Sequence, residues 1–567
     1  MDKHVELEHL RHSAAHLLAH AISELYPNTR FTIGPTTDTG FFYDFLAQTT
    51  IREEDLPAIE ERMRQIASEN FPIIQSCVSK EEARRIFKDN PFKLELINDI
   101  QDAEVGLSTQ GSFVDLCRGG HVASTGQIQH FKLISVSGVY WRGDKENPQL
   151  QRITGIAFLS QAELDQYLHQ REEALKYDHR KLGKELDLFS LLPEGIGFPF
   201  IHPKGNLILN TLKNFMRQLL YENDYQEVAT PIMLNADLWR RSGHYSYYKE
   251  NMYFSHIDET EYAIRPMNCP GAFLIYNTRP RSYRELPMRI SEFGYVHRHE
   301  LSGVLHGLMR VRAFTIDDAH IICQLNQMEQ EITNVLKLIF ITLAKTGFEN
   351  IKIGLATRPA NAMGSVEVWE IAINALKQAL EKSGHSYTIK EGDGAFYGPK
   401  IEIGIQDSIG RTWQCSTVQV DFVQPENFDL TCINSSGQKE RVVVVHHAIF
   451  GSLERFFAIL LEHYKGKLPL WLSPIQTRIM TITDQELPYA RNLRDQLKKY
   501  LRIDIEESSD PISAKIKKAQ IEQIPWMLVI GKKEVENNTI TLRHRDGTQE
   551  FGLTLAEIIE RAQKELT

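Results

Sequence analysis

One stretch of the chain, residues 292 to 320, concentrates charge in a way that restricts what it can form. It reads EFGYVHRHELSGVLHGLMRVRAFTIDDAH and places histidines and arginines ahead of an acidic pair. Arginine forks match phosphate oxygens, so the stretch is expected to hold a polyanionic ligand. The alternative is a solvated charged loop. Interleaved apolar residues favour paired strands instead: Phe293, Val296, Leu305, Leu308, Met309 and Val311.

Composition limits the class of protein. The 567 residues are 42% hydrophobic and 24% charged, as in globular chains of about three or four domains. A net charge of -10 gives no general attraction to nucleic acid, so RNA contacts would need local basic patches. Six cysteines are too few for a disulfide scaffold, and no leader or membrane-length apolar run is present. These features predict a soluble, cytoplasmic protein that does not engage a membrane.

Hydrophobic spacing predicts a helix over residues 9–25, which places His12 and His16 on one face. Strands are predicted through DLCRGGHV, FKLISVSGVYW and RITGIAFL. The charged stretch 161–184 is predicted to be a solvated helical connector. Further on, KIEIGI and TWQCSTVQVDFV suggest an antiparallel pair. RVVVVHHAIFGSLERFFAILLEHY predicts a strand through Val445, a turn and an apolar helix, and βα spacing after residue 468 suggests a separate domain.

The first candidate site consists of Arg298, Glu300, Arg310, Phe314 and Arg455. Two arginines on paired strands and a third on a distant helix are expected to clamp a triphosphate, and Phe314 offers a stacking face for a base. An arginine on a helix as apolar as FFAILL is costly to bury unless it meets an anion. A pair between Arg455 and Glu454 is the second choice.

Two further sets contain metal-ligating residue types. Cys269, His320 and His446 would suit zinc with an open fourth position. Zinc clusters that are recognisable by spacing are local, however, so spacing alone favours three separate buried polar residues.

The second set pairs His12 with His16, and Cys117 with His121. Either pair can place two side chains on one metal ion or one substrate. Lone helical histidines are more often satisfied core or surface groups, but two such pairs in one domain favour the functional interpretation.

Several motifs together resemble a known family. FGYVHRHE and GSLERF resemble motifs 2 and 3 of the class II aminoacyl-tRNA synthetases. MNCPG, LHGLMRVRAFTIDDAH, DGAFYGPKIE, WQCSTVQVDF and HHAIFGSLERF are similar to threonyl-tRNA synthetases, and LRHSAAHLLAHAI and DLCRGGH look like their editing domain. The resemblance covers essentially the whole chain. It implies a multidomain α/β and α+β fold, with an α+β editing domain (1–160), a helical linker (161–184), an antiparallel-sheet catalytic domain (185–468) and an α/β anticodon-binding domain (469–567).

The activity that this resemblance implies is that of a threonine–tRNA ligase with editing. Threonine would attack the α-phosphate of ATP, the adenylate would charge tRNA(Thr), and mischarged seryl-tRNA(Thr) would be hydrolysed. The implied cofactors are one zinc ion per subunit and Mg²⁺ with ATP, and the implied assembly is a homodimer. Zinc that engages the threonine amino and hydroxyl groups would reject valine, whereas serine keeps the hydroxyl and needs editing.

The resemblance also implies roles for individual residues. The zinc ligands would be Cys269, His320 and His446. The ATP site would contain Arg298, Glu300, Arg310, Phe314, Gln414 and Arg455, and the catalytic groups would be Arg298, Arg455 and His244. Threonine would contact Met267, Asp318, Tyr397 and Gln419. Editing would use His12, His16, Lys93, Cys117 and His121, and the anticodon would meet Lys515, Glu534 and Arg543.

The sequence departs from the family pattern at a few places. The family usually starts with a ubiquitin-like TGS domain, whereas this chain begins at the editing helix; either the gene lacks that domain or the chain was cut. Gly120 stands where proline is commoner, Ile316 and Ser416 replace a glutamine and a glycine, and Ser509 stands for an asparagine.

The competing hypothesis is a synthetase-like RNA-binding regulator that has lost catalysis. It predicts missing arginines or missing zinc ligands, and both sets are present. The complete Cys/His/His set likewise argues against a prolyl or seryl relative.

Overall fold

The computed structural model describes residues 3–37, 39–144, 146–406 and 411–566. The chain divides into two compact units, residues 1–172 and 173–567. Within the described ranges, no helix combines the length and apolar character that crossing a membrane requires.

The first unit packs one long helix and a shorter one against a four-stranded antiparallel sheet, beside a second sheet of three strands. Its helices are α1 (Lys3–Leu25), α2 (Leu56–Glu69), α3 (Lys80–Ile86) and α4 (Pro91–Asp99), and α5 (Gln161–Lys176) begins in it. Its strands are β1 (Arg30–Phe31), β2 (Gly40–Leu46), β3 (Ile74–Ser79), β4 (Glu104–Gln110), β5 (Phe113–Leu116), β6 (His130–Tyr140) and β7 (Gln149–Phe158). The sheet orders are β1-β2-β7-β6 and β3-β4-β5.

The predicted strand through DLCRGGHV is only partly correct. β5 ends at Leu116, and Gly119 and Gly120 follow in a loop with φ of +105° and +84°. Those positive values belong to the region that glycine favours, so the two glycines permit the loop that follows the strand. The loop carries Cys117 and His121 back towards α1.

The second unit is built on an eight-stranded sheet of order β10-β15-β16-β23-β20-β19-β17-β18, in which the inner strands pair antiparallel. This confirms the predicted antiparallel core. Strands in order are β8 (Phe189–Ser190), β9 (Phe200–Ile201), β10 (Gln226–Glu227), β11 (Met233–Asn235), β12 (Tyr253–Ile257), β13 (Thr260–Ile264), β14 (Arg281–Ser282), β15 (Met288–His297), β16 (Ala313–Cys323), β17 (Ile351–Ala356), β18 (Thr388–Lys390), β19 (Lys400–Gln406), β20 (Thr412–Asp421), β21 (Thr431–Ile433), β22 (Lys439–Arg441) and β23 (Val443–Ser452).

Helices cover this sheet and its edges. They are α6 (His179–Glu185), α7 (Pro203–Tyr221), α8 (Ala236–Arg241), α9 (His244–Tyr248), α10 (Cys269–Tyr276), α11 (Met328–Lys345), α12 (Val366–Ser383), α13 (Val423–Asn427) and α14 (Leu453–His463). The apolar faces of α7, α11, α12 and α14 share one large core with the sheet. The stretch 161–184 is helical as predicted, although it is broken into α5 and α6.

Three details of the predicted strands need correction. β23 continues to Ser452 and leads directly into α14, with no intervening turn after Val445. Arg298 and Arg310 lie just outside the paired strands β15 and β16, and Leu305, Leu308, Met309 and Val311 belong to the connection between them. That connection includes a 3₁₀ turn at Ser302–Val304 and is held by its own backbone bonds, so its apolar residues do not alternate along a strand.

The last part of the second unit is a mixed five-stranded sheet of order β25-β24-β26-β27-β28, with its own core. Its strands are β24 (Thr477–Thr481), β25 (Ile503–Glu506), β26 (Trp526–Ile530), β27 (Ile540–His544) and β28 (Gln549–Leu553), and its helices are α15 (Leu487–Leu497), α16 (Ile512–Ile521), α17 (Lys532–Asn537) and α18 (Leu555–Leu566). The first three strands pair parallel, as βα spacing predicts, whereas β27 and β28 add an antiparallel edge.

Candidate functional site

Strand register in the large sheet brings predicted site residues into line. His320 of β16 lies opposite His446 of β23, and His446 lies opposite Gln419 of β20. Two residues along, Asp318 faces Ala448. Side chains two apart on a strand share a face, and cross-strand pairs have Cβ atoms about 4.5–5.5 Å apart. The two sets of cross-strand neighbours therefore lie side by side on one face of the sheet.

Cys269, the first residue of α10, lies over this face of the sheet, beside His320 and His446. All three side chains are buried, and one ligand atom from each lies within 4.8 Å of the others. Burial raises the pKa of the Cys269 thiol and lowers the pKa of His320 to about 4. His320 Nε2 is buried without a hydrogen-bond partner.

The surroundings of His446 resemble those of a metal ligand. Its Nε2 lies 3.0 Å from a carboxylate oxygen of the fully buried Asp421. A carboxylate on one ring nitrogen of a histidine fixes the tautomer and leaves the other nitrogen for a metal. Thiol and imidazole donors with an orphaned buried nitrogen fit a metal ion of the zinc type, so the three residues form a possible metal-binding group.

A cavity of about 360 Å³ opens above this group. Its lining includes Met267, Cys269, Arg298, Asp318, His320, Tyr397, Gln419 and His446, all named from the sequence. Tyr397 donates to Gln419 Oε1 over 2.7 Å, and Asn268 Nδ2 donates to Asp318 over 3.0 Å. These bonds fix the polar groups that face the cavity.

The predicted arginines occupy different positions. Arg298 lines the cavity, with its guanidinium 5.2 Å from the ring centroid of Phe314 and its Nε donating to the Pro266 carbonyl over 3.3 Å. Arg310 is exposed, and Glu300 is half-buried. Phe314 is buried beneath Arg298, so in this conformation the cation covers the ring predicted to stack on a base.

Arg455 is held by carbonyl groups. It donates from Nε to Met309 over 2.8 Å and from Nη1 to Gln414 over 3.0 Å, and burial lowers its pKa. Glu454 instead accepts the Thr315 N–H, so the alternative Glu454 and Arg455 pair does not form. The Gln414 side chain turns to Thr417 Oγ1 at 2.9 Å.

His244 begins α9 and lies just behind the cavity. Its ring is hydrogen-bonded to Ser242 Oγ at 2.7 Å, and its Nε2 is 2.9 Å from Met267 Sδ. Burial, reinforced by Arg298, lowers its pKa to about 4. The neutral imidazole contacts Met267, which in turn lines the cavity.

The first unit contains a second cavity, of about 530 Å³. His12, His16, Cys117 and His121 gather beside it, with ligand atoms within 4.8 Å of one another. His12 Nε2 lies 3.3 Å from His16 Nε2, and Cys117 Sγ lies 3.0 Å from His121 Nε2. Burial lowers the pKa of His16 to about 4 and, with neighbouring histidines, that of His121 to about 3.

Lys93 lines the same cavity and is almost completely buried. Its ammonium pairs with the Asp115 carboxylate, which also accepts from the Tyr43 hydroxyl. Burial acts to raise the pKa of the Asp115 carboxyl, but the positive charge of Lys93 outweighs burial, so the pKa of Asp115 is lowered. Asp115 lies 3.3 Å from His16 Nδ1 and so connects the lysine to the histidines.

The three predicted anticodon contacts are spread over the C-terminal module. Lys515 is buried and donates to the Thr481 carbonyl over 3.1 Å. Glu534 accepts from the Gly531 N–H and from Thr541 Oγ1. Arg543 is half-buried on β27. The side chains of Lys515 and Glu534 are thus hydrogen-bonded within the module.

Sequence reasoning missed several residues in or beside the two cavities: Tyr43, Asp115, Tyr248, Phe396, Thr417 and Asp421. The signals were present for two of them. Asp115 precedes Cys117 in the DLC motif, and Thr417 shares a strand face with Gln419. The other four belong to distant parts of the chain: β2, α9, the connection before β19, and β20. Only the fold brings them together.

Comparisons with known proteins agree with this geometry. Residues 252–464 match the model of the tRNA synthetase class II core domain (G, H, P, S and T). Residues 475–565 match the anticodon binding domain, and residues 105–154 match the threonyl and alanyl tRNA synthetase second additional domain.

Among curated proteins, the chain is 50% identical to the threonine–tRNA ligase of Clostridium tetani, covering 98% of this chain and 88% of that protein. It is 49% identical to the enzyme of Caldanaerobacter subterraneus, with 98% and 87% covered.

Solved structures with the same fold include the RNA binding domain of a threonyl-tRNA synthetase from Cryptosporidium parvum. It has a TM-score of 0.65 and 40% identity, with 68% of this chain and 98% of that chain covered. Giardia lamblia prolyl-tRNA synthetase shares the fold at 16% identity and a TM-score of 0.56, with 70% and 81% covered.

Proposed function

The chain belongs to the threonyl-tRNA synthetases, and from this premise we propose how its own residues carry out the reaction. It is a threonine–tRNA ligase, with a class II catalytic core, an anticodon-binding domain and an editing domain. ATP, threonine and tRNA are therefore its substrates. The hypothesis of an inactive RNA-binding regulator is not supported.

We propose that the arginines organise ATP. Arg298, which faces the cavity beside Asp318, would hold the α-phosphate where the threonine carboxylate attacks. Arg310 and Arg455 would hold the outer phosphates together with Mg²⁺. Because the guanidinium of Arg455 is fixed by two carbonyls before ATP arrives, its charge needs little reorganisation during the reaction.

Adenine would lie on Phe314, with its amino group at Glu300. Arg298 now covers that ring, so we propose that it moves from Phe314 to the α-phosphate when ATP binds.

Cys269, His320 and His446 would hold zinc in the amino-acid pocket. When bound, zinc would supply a Lewis-acidic position for the amino and hydroxyl groups of threonine, and so discriminate against valine. Asp318, held by Asn268, would orient the amino group, and Tyr397 and Gln419 would close the side-chain pocket. Their shared position on one cavity is the observation that supports this assignment.

His244 would act in the transfer of threonine to the tRNA terminus. Its position behind Met267, with the neutral ring oriented by Ser242, suits a group that accepts a proton from the ribose hydroxyl.

The cavity of the first unit would hydrolyse seryl-tRNA(Thr). Its neutral histidines and Cys117 could position water, and the buried Lys93 would provide positive charge near the ester. The same donor set, three nitrogens and one sulfur, also permits a metal ion.

Other features remain proposals from family resemblance. They are the homodimer, the cytoplasmic location, the segment boundaries 1–160, 161–184, 185–468 and 469–567, and the anticodon roles of Lys515, Glu534 and Arg543.

The zinc assignment is tested with Cys269→Ala. We expect this variant to lose both equimolar zinc, measured by atomic absorption, and threonine-dependent ATP–pyrophosphate exchange. Cys432→Ala is the matched control, because Cys432 is also buried and unpaired but lies on β21 outside the group. Normal zinc content and exchange in Cys269→Ala would refute the assignment.

A further inference from the structure

His179, the first residue of α6, is completely buried and has both ring nitrogens engaged. Nδ1 lies 2.7 Å from Glu462 Oε1 on α14, and the backbone N–H of Leu308 donates to Nε2 over 3.1 Å. A backbone N–H can only donate, so Nε2 carries no proton. The proton is then on Nδ1 and is donated to Glu462. The surroundings thereby select one neutral tautomer.

The Leu308 N–H belongs to a tight turn between β15 and β16. His306 and Arg310 close this turn with two backbone hydrogen bonds of 3.1 and 3.2 Å. Gly307 within it has φ +50°, and a Cβ there would lie 2.0 Å from His179 Nε2. The turn therefore packs directly on the imidazole, and only glycine permits this approach.

Two arginines depend on the same turn. Arg310 is its last residue, and the neighbouring Met309 carbonyl accepts from Arg455 Nε over 2.8 Å. Arg455 and Glu462 are both on α14, two turns apart. Helix α14 thus holds the turn in two ways. Arg455 donates to it directly, and Glu462 is hydrogen-bonded to His179, which accepts from the turn.

We propose that His179 is a positioning residue for ATP. By accepting the Leu308 N–H, it fixes the turn that presents Arg310 and gives Arg455 its acceptor. The inference rests on the proposed phosphate roles of these arginines. His179 touches no substrate itself, so its effect should fall on ATP binding. A solely structural residue would affect stability alone.

Two substitutions separate the two nitrogens. In His179→Gln, the side-chain oxygen can reach the place of Nε2 and accept the Leu308 N–H. In His179→Asn, the shorter amide can replace Nδ1 towards Glu462 but cannot reach Leu308. We expect His179→Asn to raise the KM for ATP in pyrophosphate exchange about tenfold, equivalent to one hydrogen bond of ~1.4 kcal/mol. His179→Gln should restore a KM near that of the unaltered protein, and kcat should change less than KM in both.

Gly307→Ala provides an independent variant, because it leaves His179 and Glu462 intact and displaces the turn. It should also raise the KM for ATP. His202→Ala is the matched control: His202 is hydrogen-bonded to Asp187 and Ser190, at 2.6 and 2.7 Å, away from the turn. It should leave the KM unchanged. Thermal unfolding of each variant shows whether it is folded.

Equal KM values for His179→Asn and His179→Gln, whether raised or unchanged, would overturn the inference. Arg310→Ala separates this from failure of the proposed function. If Arg310→Ala raises the KM for ATP and His179→Asn does not, the inference alone is wrong. If Arg310→Ala has no effect either, the phosphate role of the turn is wrong and the inference falls with it.

Discussion

At the scale of single residues, Gly120 shows how the cavity of the first unit depends on unusual backbone. Its φ of +84° is closed to proline, whose ring fixes φ at about −65°. The Gly120 carbonyl lies 3.2 Å from His12 Nδ1, which therefore donates to it. His12 Nε2 is left without a proton and faces His16 and the Cys117 thiol. The loop conformation thus determines which histidine nitrogen is available for chemistry.

His12 and His16 give the first prediction at this scale. In the double variant His12→Ala and His16→Ala, hydrolysis of seryl-tRNA(Thr) should fall about 100-fold or more, the scale of acid–base assistance by side chains. Threonine activation should continue because its residues belong to the other unit. The measurement is deacylation of preformed seryl-tRNA(Thr), and accumulation of the mischarged species during serine charging.

His20→Ala is the matched control for this experiment. His20 is buried on the same helix face as His16, but it contacts Glu24 and Ser112 and is not among the residues lining the cavity. It should keep full deacylation. Unchanged deacylation in the double variant would show that the histidines do not perform editing.

At the scale of elements, the sequence predicted where the strands lie better than the register in which they pair. KIEIGI and TWQCSTVQVDFV pair antiparallel as predicted, because alternation and turn residues are local signals. Spacing alone favoured three separate residues for Cys269, His320 and His446, whereas β16 and β23 place the two histidines opposite each other. Such register is set by the whole sheet, so family resemblance recovered the group and spacing did not.

The same limit applies to the connection between β15 and β16. Its apolar residues suggested paired strands, but the chain turns there, and the turn is held by its own backbone bonds and by the buried His179. His179 was part of a stretch interpreted as a solvated connector, and its burial against Leu308 had no sequence signal. Motif matches identify residues that touch substrate. They identify less readily the residues that position those side chains.

The junction of β16 and β23 supports an element-scale prediction. At an irregularity in their pairing, the buried Asp317 carboxylate accepts the N–H groups of Ile449, Phe450 and Gly451 over 2.8 to 3.1 Å. Burial raises the pKa of Asp317 to about 7, although the three donors oppose that shift. Asp317→Asn offers one acceptor oxygen and turns an NH₂ group towards a donor. We expect a loss of ~1–3 kcal/mol in the free energy of unfolding.

Because β23 leads directly into α14, Asp317→Asn should also raise the KM for ATP by loosening Arg455. Chemical denaturation and pyrophosphate exchange measure the two effects. Asp429→Asn is the control: this exposed carboxylate pairs with Arg441, and its loss should change stability by at most ~0.5 kcal/mol. Equal stability of both variants would show that the three backbone bonds contribute little.

At the scale of the whole molecule, the catalytic sheet and the C-terminal module belong to one compact unit, residues 173–567. The connecting segment has a visible role in this. Trp471 packs its ring 5.7 Å from that of Phe215 on α7, and its carbonyl accepts from Arg502 of the C-terminal module over 2.6 Å. Arg502 also donates to the Ser473 carbonyl, and Lys204 at the start of α7 lies 3.5 Å from Glu522. Substrate-bearing and anticodon-binding parts are therefore joined by specific contacts as well as by the chain.

These contacts predict that residues 173–567 unfold together. Scanning calorimetry should show this unit as one transition, separate from that of residues 1–172. Arg502→Met keeps the apolar stem but removes the donor from the carbonyls of Trp471 and Ser473, which should weaken the junction by ~1–3 kcal/mol. The transition should then divide, with the C-terminal module unfolding first. Arg494→Met, which removes an exposed pair with Asp495, should leave one transition. A single, unshifted transition in Arg502→Met would mean that core packing alone couples the two parts.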